Sequence, residues 1–357
     1  MVEEFLDHLA HNHPYLNGQL DGADLTGLSL TAGTVRGTSF TRADLSGARL
    51  TDMTFVACDL TGCRFDGASL DRCSFIECSG PQSTWRDVQA VMTTYMACAL
   101  PGATFTGAAL SRSNLMRCDL TGAVLARCAL EASSLAECTL GGIDLSETRL
   151  VNGAITQADL REAAIDGFCC DHAMLAGCDL TGRDLRSVTL TRISLMKAKL
   201  DRANLSGADL SGAILMEASL VGAVLADAQA PMAIFAGANL SGADLSGARL
   251  SHAVFQGCRA EGSRFDRARL DNTVFTGAQA DAASFREAQC AYAQFHHAGL
   301  DHADFSNAAF LRTDFHGARI AGATFHGRTG TMLETVDERV IGELYDPSVV
   351  RPLATPE

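Results

Sequence analysis

Thirteen cysteines and ten histidines are the residues of this chain with the most obvious capacity for chemistry. Ten of the cysteines fall where the residue number ends in 3 or 8. Seven of those ten, Cys58, Cys78, Cys98, Cys118, Cys138, Cys178 and Cys258, differ by multiples of 20. A column of stacked thiols could hold metal or cycle between redox states. Two considerations weigh against both uses. Stacking in register sets neighbouring Cβ atoms about 4.8 Å apart, beyond the roughly 3.8 Å that a disulfide prefers. Short zinc spacings such as C-x-x-C are absent from the sequence. The expectation is a structural wall, with cysteine serving as a small apolar filler.

Five of the histidines form two groups, His8, His11 and His13 near the start, and His296 and His316 twenty residues apart. Imidazole is a common metal ligand, but spacing alone places no carboxylate partner beside either group. No nucleophile–base pair, paired carboxylates, P-loop or dinucleotide fingerprint occurs at a usable spacing. The sequence therefore nominates no catalytic, cofactor-binding or metal-ligating residue, and no cofactor is expected.

The spacing that isolates the cysteines belongs to a longer pattern. Every fifth residue from Leu20 to Phe325 gives 62 positions without a slip, of which 34 are Leu and 15 are Phe. The position two residues earlier is mostly Ala, Cys, Gly, Ser or Thr. Neither the 3.6-residue helix nor the 2-residue strand yields a period of five. One large and one small inward residue per pentad describe a solenoid whose short sides each take one pentad. From Phe255 to Phe325 a Phe recurs every ten residues, which keeps Phe on fixed walls only if the number of sides is even. Four sides and 20 residues per coil put these Phe on two opposite walls, and about 15 coils make a rod of roughly 75 Å.

Strings such as Ala43-Asp44-Leu45-Ser46-Gly47, Ala208-Asp209-Leu210-Ser211-Gly212 and Ala243-Asp244-Leu245-Ser246-Gly247 fit A-[D/N]-L-x-x. In this the chain resembles the pentapeptide repeat proteins over about residues 18–327. The resemblance implies an all-β solenoid, a right-handed quadrilateral β-helix. It also implies a non-enzymatic role, since that family includes topoisomerase-protecting DNA mimics and secreted effectors.

Three segments are expected: a capping helix within residues 1–19, the repeat over 20–330, and a capping helix and tail over 331–357. Glu3 to His11 carries Phe5, Leu6 and Leu9 on one side, and Glu334 to Leu344 carries Val336, Val340, Ile341 and Leu344. Open solenoid ends need such covers. Sealing both ends favours a monomer. An outward-facing stripe in 331–357 would instead join two chains end to end. Gly80-Pro81, Trp85, Ala90 and Tyr95 are expected to mark a distorted coil, with smaller irregularities at Phe168-Cys169-Cys170 and Ala230-Pro231.

Charge narrows the partners. The formal net charge is −14, which argues against direct nucleic-acid binding. The acidity is uneven: residues 20–180 hold 19 acidic and 11 basic residues, whereas 181–330 hold 14 and 15. No apolar run is long enough for membrane insertion. An acidic amino terminus and many unpaired cysteines suggest a reducing, cytoplasmic setting. The reading favoured is a protein-interaction scaffold or adaptor with a protein partner, and family analogy adds an accessory role in bacterial secretion or effector delivery. The alternative is a DNA mimic acting on gyrase, favoured by the acidic half. A metal carrier or enzyme is the weakest reading.

Overall fold

The computed structural model describes residues 1–333. Helix α1 (Val2–Ala10) is followed by strand β1 (Tyr15–Leu16), and then by about 16 coils stacked in parallel. The register is constant. Strand β2 (Ser29–Arg36) pairs with β3 (Arg49–Val56) as Leu30 with Leu50 and Val35 with Phe55. The same step of 20 recurs through bridges such as Asp244 with Arg264 and Arg259 with Gln279. Four pentads per coil close a four-sided parallel β-solenoid, as the sequence period requires.

The pentad explains the local geometry. The central residue and the one two places earlier both point inward, so Phe275, Leu200, Ala278 and Ala198 are fully buried. The residue two places after the centre turns the corner with positive φ, whether it is Gly212 (+64°), Arg192 (+53°) or Met232 (+58°). Glycine suits that conformation best, yet many corners carry ordinary residues. The signature Asp or Asn, one place before the centre, caps the turn that follows: Asp44 Oδ1 accepts the Ser46 N–H at 2.9 Å and Asp209 the Ser211 N–H at 3.0 Å.

Aromatic side chains stack one coil above another. Phe255 lies 4.6 Å from Phe275 and Phe285 lies 4.6 Å from Phe305 on the opposite wall, while rings from the two walls meet edge to face at 5.6 Å (Phe255–Phe265). The decade-spaced Phe therefore occupy two opposing walls, as expected. At the amino-terminal end, α1 covers the open coil by burying Phe5 and Leu9, and Phe5 meets Tyr15 edge to face at 5.1 Å. The small inward position there is Gly33 because a Cβ would lie 2.8 Å from Leu9 Cδ2. At the other end Ile320 and Leu333 are each 42% exposed. The second expected cap, Glu334 to Leu344 with its tail, lies outside the described residues.

The coil from Gly80 to Tyr95 corrects an expectation. It is regular: the Gly80 N–H donates to Ala99 O at 2.7 Å and the Trp85 N–H to Thr104 O at 2.7 Å, as in neighbouring coils. Trp85 is fully buried, stacked 4.0 Å from Phe65, and its Nε1–H donates to Ser83 Oγ at 2.8 Å. Gly80 and Ala90 are the volume compensation for Trp85 and Tyr95. A Cβ on Gly80 would sit 3.0 Å from Leu100 Cδ2. Ala230-Pro231 is equally regular, with Pro231 O accepting from Gly212 N–H at 2.9 Å.

Candidate functional site

The cysteine column is where the sequence placed it, inside the wall, and all thirteen cysteines are free thiols. Its chemistry differs from simple filling. At most corners the residue three after a central residue donates its N–H back to that residue's carbonyl, as Ala43 does to Phe40 at 2.8 Å. At two corners of each coil between β2 and Cys169–Asp171 the flanking residues are extended strand, the corner residue keeps its positive φ, and other donors serve these carbonyls. There the small side chain of the next coil donates. Cys58 Sγ reaches Val35 O at 3.5 Å, Cys98 reaches Phe75 O at 3.3 Å, and Cys138 reaches Leu115 O at 3.3 Å. Ser113 and Ser133 do the same for Ala90 O at 3.1 Å and Leu110 O at 2.6 Å on the adjoining corner.

A buried carbonyl without a donor costs about 1–3 kcal/mol, so Cys, Ser or Thr replaces Ala where the corner is extended. Beyond Cys170 most corners revert to the turn form and Ala returns. The switch in residue type at one position over consecutive coils is the sequence signal for this.

Burial pushes the Cys73 and Cys178 thiols up to about 11 and Cys128 up to about 12. Hydrogen bonding to neighbours in the column, then burial, also raises Cys58, Cys98 and Cys138. The same bonds act in the lowering direction on Cys78 and Cys118, but burial opposes a charged thiolate at every step of the column, so its proper state is the protonated thiol. Maleimide labelling of the native protein at neutral pH is accordingly expected to modify at most the half-buried Cys169, and all thirteen thiols only after denaturation. Rapid labelling of several native thiols would contradict this.

The histidines resolve differently from expectation. His8 and His11 face backbone oxygens of their own helix, Glu4 O and Asp7 O, each at 2.9 Å. His296 does have a carboxylate partner, Asp314 Oδ2 at 2.9 Å, contributed by the next coil and so invisible to local spacing. Burial raises the Asp314 carboxyl, but hydrogen bonds from His296 and the His316 N–H outweigh it and hold it below the usual range. His316 is buried, with its ring centroid 6.2 Å from that of His296. Among the described residues, no three His, Cys, Asp or Glu side chains are grouped to hold a metal ion.

The outer walls remain as the surface available for function. Their charges pair from coil to coil: Arg72 with Asp52 at 2.7 Å, Arg64 with Asp44 at 3.2 Å, Arg264 with Asp244 at 3.5 Å. Each such exposed pair contributes little stability, but together they break acidic columns into patches. Within one coil, the Arg161 and Arg186 side chains, hydrogen-bonded to Asp159 and Asp184, hold those carboxyls at about 2. A carboxyl depressed in the fold contributes stability above its unfolded pKa, near 3.9, and loses it as pH falls through the folded value. The melting temperature is expected to stay level from pH 8 to 5 and to fall between about pH 4 and 2. A maximum below pH 4 would contradict the capping role of these acids.

A rod of stacked pentads with a packed interior and chemistry confined to its outer walls defines a class of parallel β-solenoid. The family model for pentapeptide repeats matches in eight copies, over residues 19–79, 98–135 and 178–327, and the chain belongs to the pentapeptide repeat family. Among solved structures it is similar to QnrB1, a plasmid-mediated fluoroquinolone resistance protein. The two are 24% identical over 53% of this chain and 91% of that one, with a TM-score of 0.29. It is also similar to HetL of the cyanobacterium Nostoc sp. strain PCC 7120, a pentapeptide repeat protein involved in heterocyst differentiation regulation. There the identity is 23% over 92% and 96% of the two chains, with a TM-score of 0.15. A pentapeptide repeat protein from the Arabidopsis thaliana thylakoid lumen is 16% identical over 46% and 79%, with a TM-score of 0.18. The comparison with curated proteins finds no match. Among the described residues no helix is long and apolar enough to cross a membrane.

Proposed function

We propose that this chain is a non-enzymatic scaffold that binds a protein partner along its outer walls. The observation that supports this most is the coil-to-coil pairing of surface charge on a regular ladder. It gives a rigid surface of fixed, mixed pattern, the kind of extended face on which solenoids recognise proteins. The test is affinity capture with full-length protein and three variants, each with the charges of one of the three charged walls reversed. Loss of a captured partner from one variant alone supports the reading, and capture unaffected by all three contradicts it.

The acidic bias of residues 20–180 favours a second reading, mimicry of duplex DNA towards a topoisomerase such as gyrase. Against it, the bridged column Asp24, Asp44, Arg64, Thr84 loses its acidity after two coils, and Arg64 pairs with Asp44. Inhibition of DNA supercoiling at stoichiometric protein, abolished by neutralising Asp24 and Asp44, would move the conclusion to this reading.

A further inference from the structure

One wall of the rod differs from the other three. It is built on the centres from Phe55 to Phe275 that stack at steps of 20, and its outward residues are those immediately before and after each centre. From Thr54 and Val56 to Val274 and Thr276, all 24 outward positions in 12 coils are uncharged. Over the same span the other walls carry charges such as Asp59, Arg64, Asp66, Asp71 and Arg149. Met96, Met116, Met174 and Met196 are each 36–40% exposed on this wall. A shallow hollow lies across the middle of the wall, lined by Ser134, Ala154, Met174 and Ser194 and, along one corner, by Gly153, His172 and Arg192. A long uncharged strip rich in adaptable methionine has the composition of an interface core.

We propose that this wall joins two copies of the chain side by side and antiparallel, about a two-fold axis passing between the coils of Ala154 and Met174. This axis is centred on the hollow: it sets Ala154 opposite the exposed Met174 of the second copy and Ser134 opposite its Ser194, and it places Met92 opposite Met232, both strongly exposed corner residues.

Of the two charged edges flanking the wall, the one carrying Arg117 provides an independent criterion. Arg117 pairs with Glu137 at 3.1 Å and Lys197 with Glu217 at 3.5 Å within one chain. The same axis brings Arg117 opposite Glu217 of the second copy and Glu137 opposite its Lys197, so that both contacts join opposite charges. Sliding the axis by half a coil in either direction sets Arg117 against Lys197 or Glu137 against Glu217. Twelve coils at about 4.8 Å, with two outward columns roughly 10 Å wide, give about 600 Å² per copy. The flanking corners bring this towards the ~800 Å² per partner of a stable isologous interface.

Sedimentation equilibrium of the full-length chain is expected to give a dimer. Met174→Glu, on an exposed side chain next to the axis, is expected to give a monomer with unchanged circular dichroism. Exchanging one edge pair (Arg117→Glu with Glu137→Arg) keeps the contact within the chain but sets like charges across the axis. It is expected to weaken dimerisation by about tenfold or more. Adding Lys197→Glu and Glu217→Lys to the same chain is expected to restore it. A wild-type monomer at roughly 100 µM, or a dimer indifferent to these exchanges, overturns the proposal.

Discussion

Truncating Phe275 to Ala is expected to cost about 3–5 kcal/mol, the range for a fully buried Phe. Phe275 is 0% exposed and stacks on Phe255 at 4.6 Å and Phe295 at 4.8 Å, with Phe265 and Phe285 edge-on from the opposite wall. Coils support only their neighbours, so the cavity cannot be closed by repacking from afar. Urea unfolding followed by circular dichroism would measure the loss. A cost below about 1 kcal/mol would show that the aromatic ladder is not a tightly packed core.

The second large effect is expected at the amino-terminal end. Phe5 is 1% exposed, against Tyr15 at 5.1 Å and Phe40 at 6.1 Å, and it holds α1 over the first coil. Phe5→Ala removes a comparable burial, about 3–5 kcal/mol at full packing, but its consequence is local. Without the helix, the edge formed by β1 and β2 is uncovered, and the first coils fray while the interior stays folded. Hydrogen exchange is expected to accelerate over residues 15–36 and to remain slow from about Leu100 onward. Uniform acceleration along the chain would mean that the rod unfolds as one unit and that α1 is not an end cover. Gly33→Val should mimic the variant from the other side, since any Cβ there meets Leu9.

Much of this architecture was legible in the sequence because a constant period of five converts residue number directly into position on a coil. The four walls, the paired Phe ladders and the buried cysteine column follow from that arithmetic, and α1 from the apolar face of Phe5, Leu6 and Leu9. What stayed hidden depends on contacts between coils rather than along the chain. His296 finds Asp314 across 18 residues. The role of Cys98 as a hydrogen-bond donor depends on whether the corner at Phe75, one coil below, is extended or turned, and the inward period is the same for both. Gly80, read as a break, is a volume exchange with Trp85 that needs the cross-section of the coil to be seen. The uncharged wall appears once residues 20 apart are aligned as columns.

Every wall, column and proposed contact requires that residue n lie directly beneath residue n + 20. Electron–electron spin distances test it directly. Arg127, Asp227 and Arg267 are exposed corner residues on one edge, away from the uncharged wall. Cysteine-attached labels at 127 and 227 are separated by five coils and at 127 and 267 by seven, in protein diluted with unlabelled chain. At about 4.8 Å per coil the account predicts narrow distributions near 24 Å and 34 Å. Distances that fail to grow by about 4.8 Å for each 20 residues would contradict the solenoid and everything built on its columns.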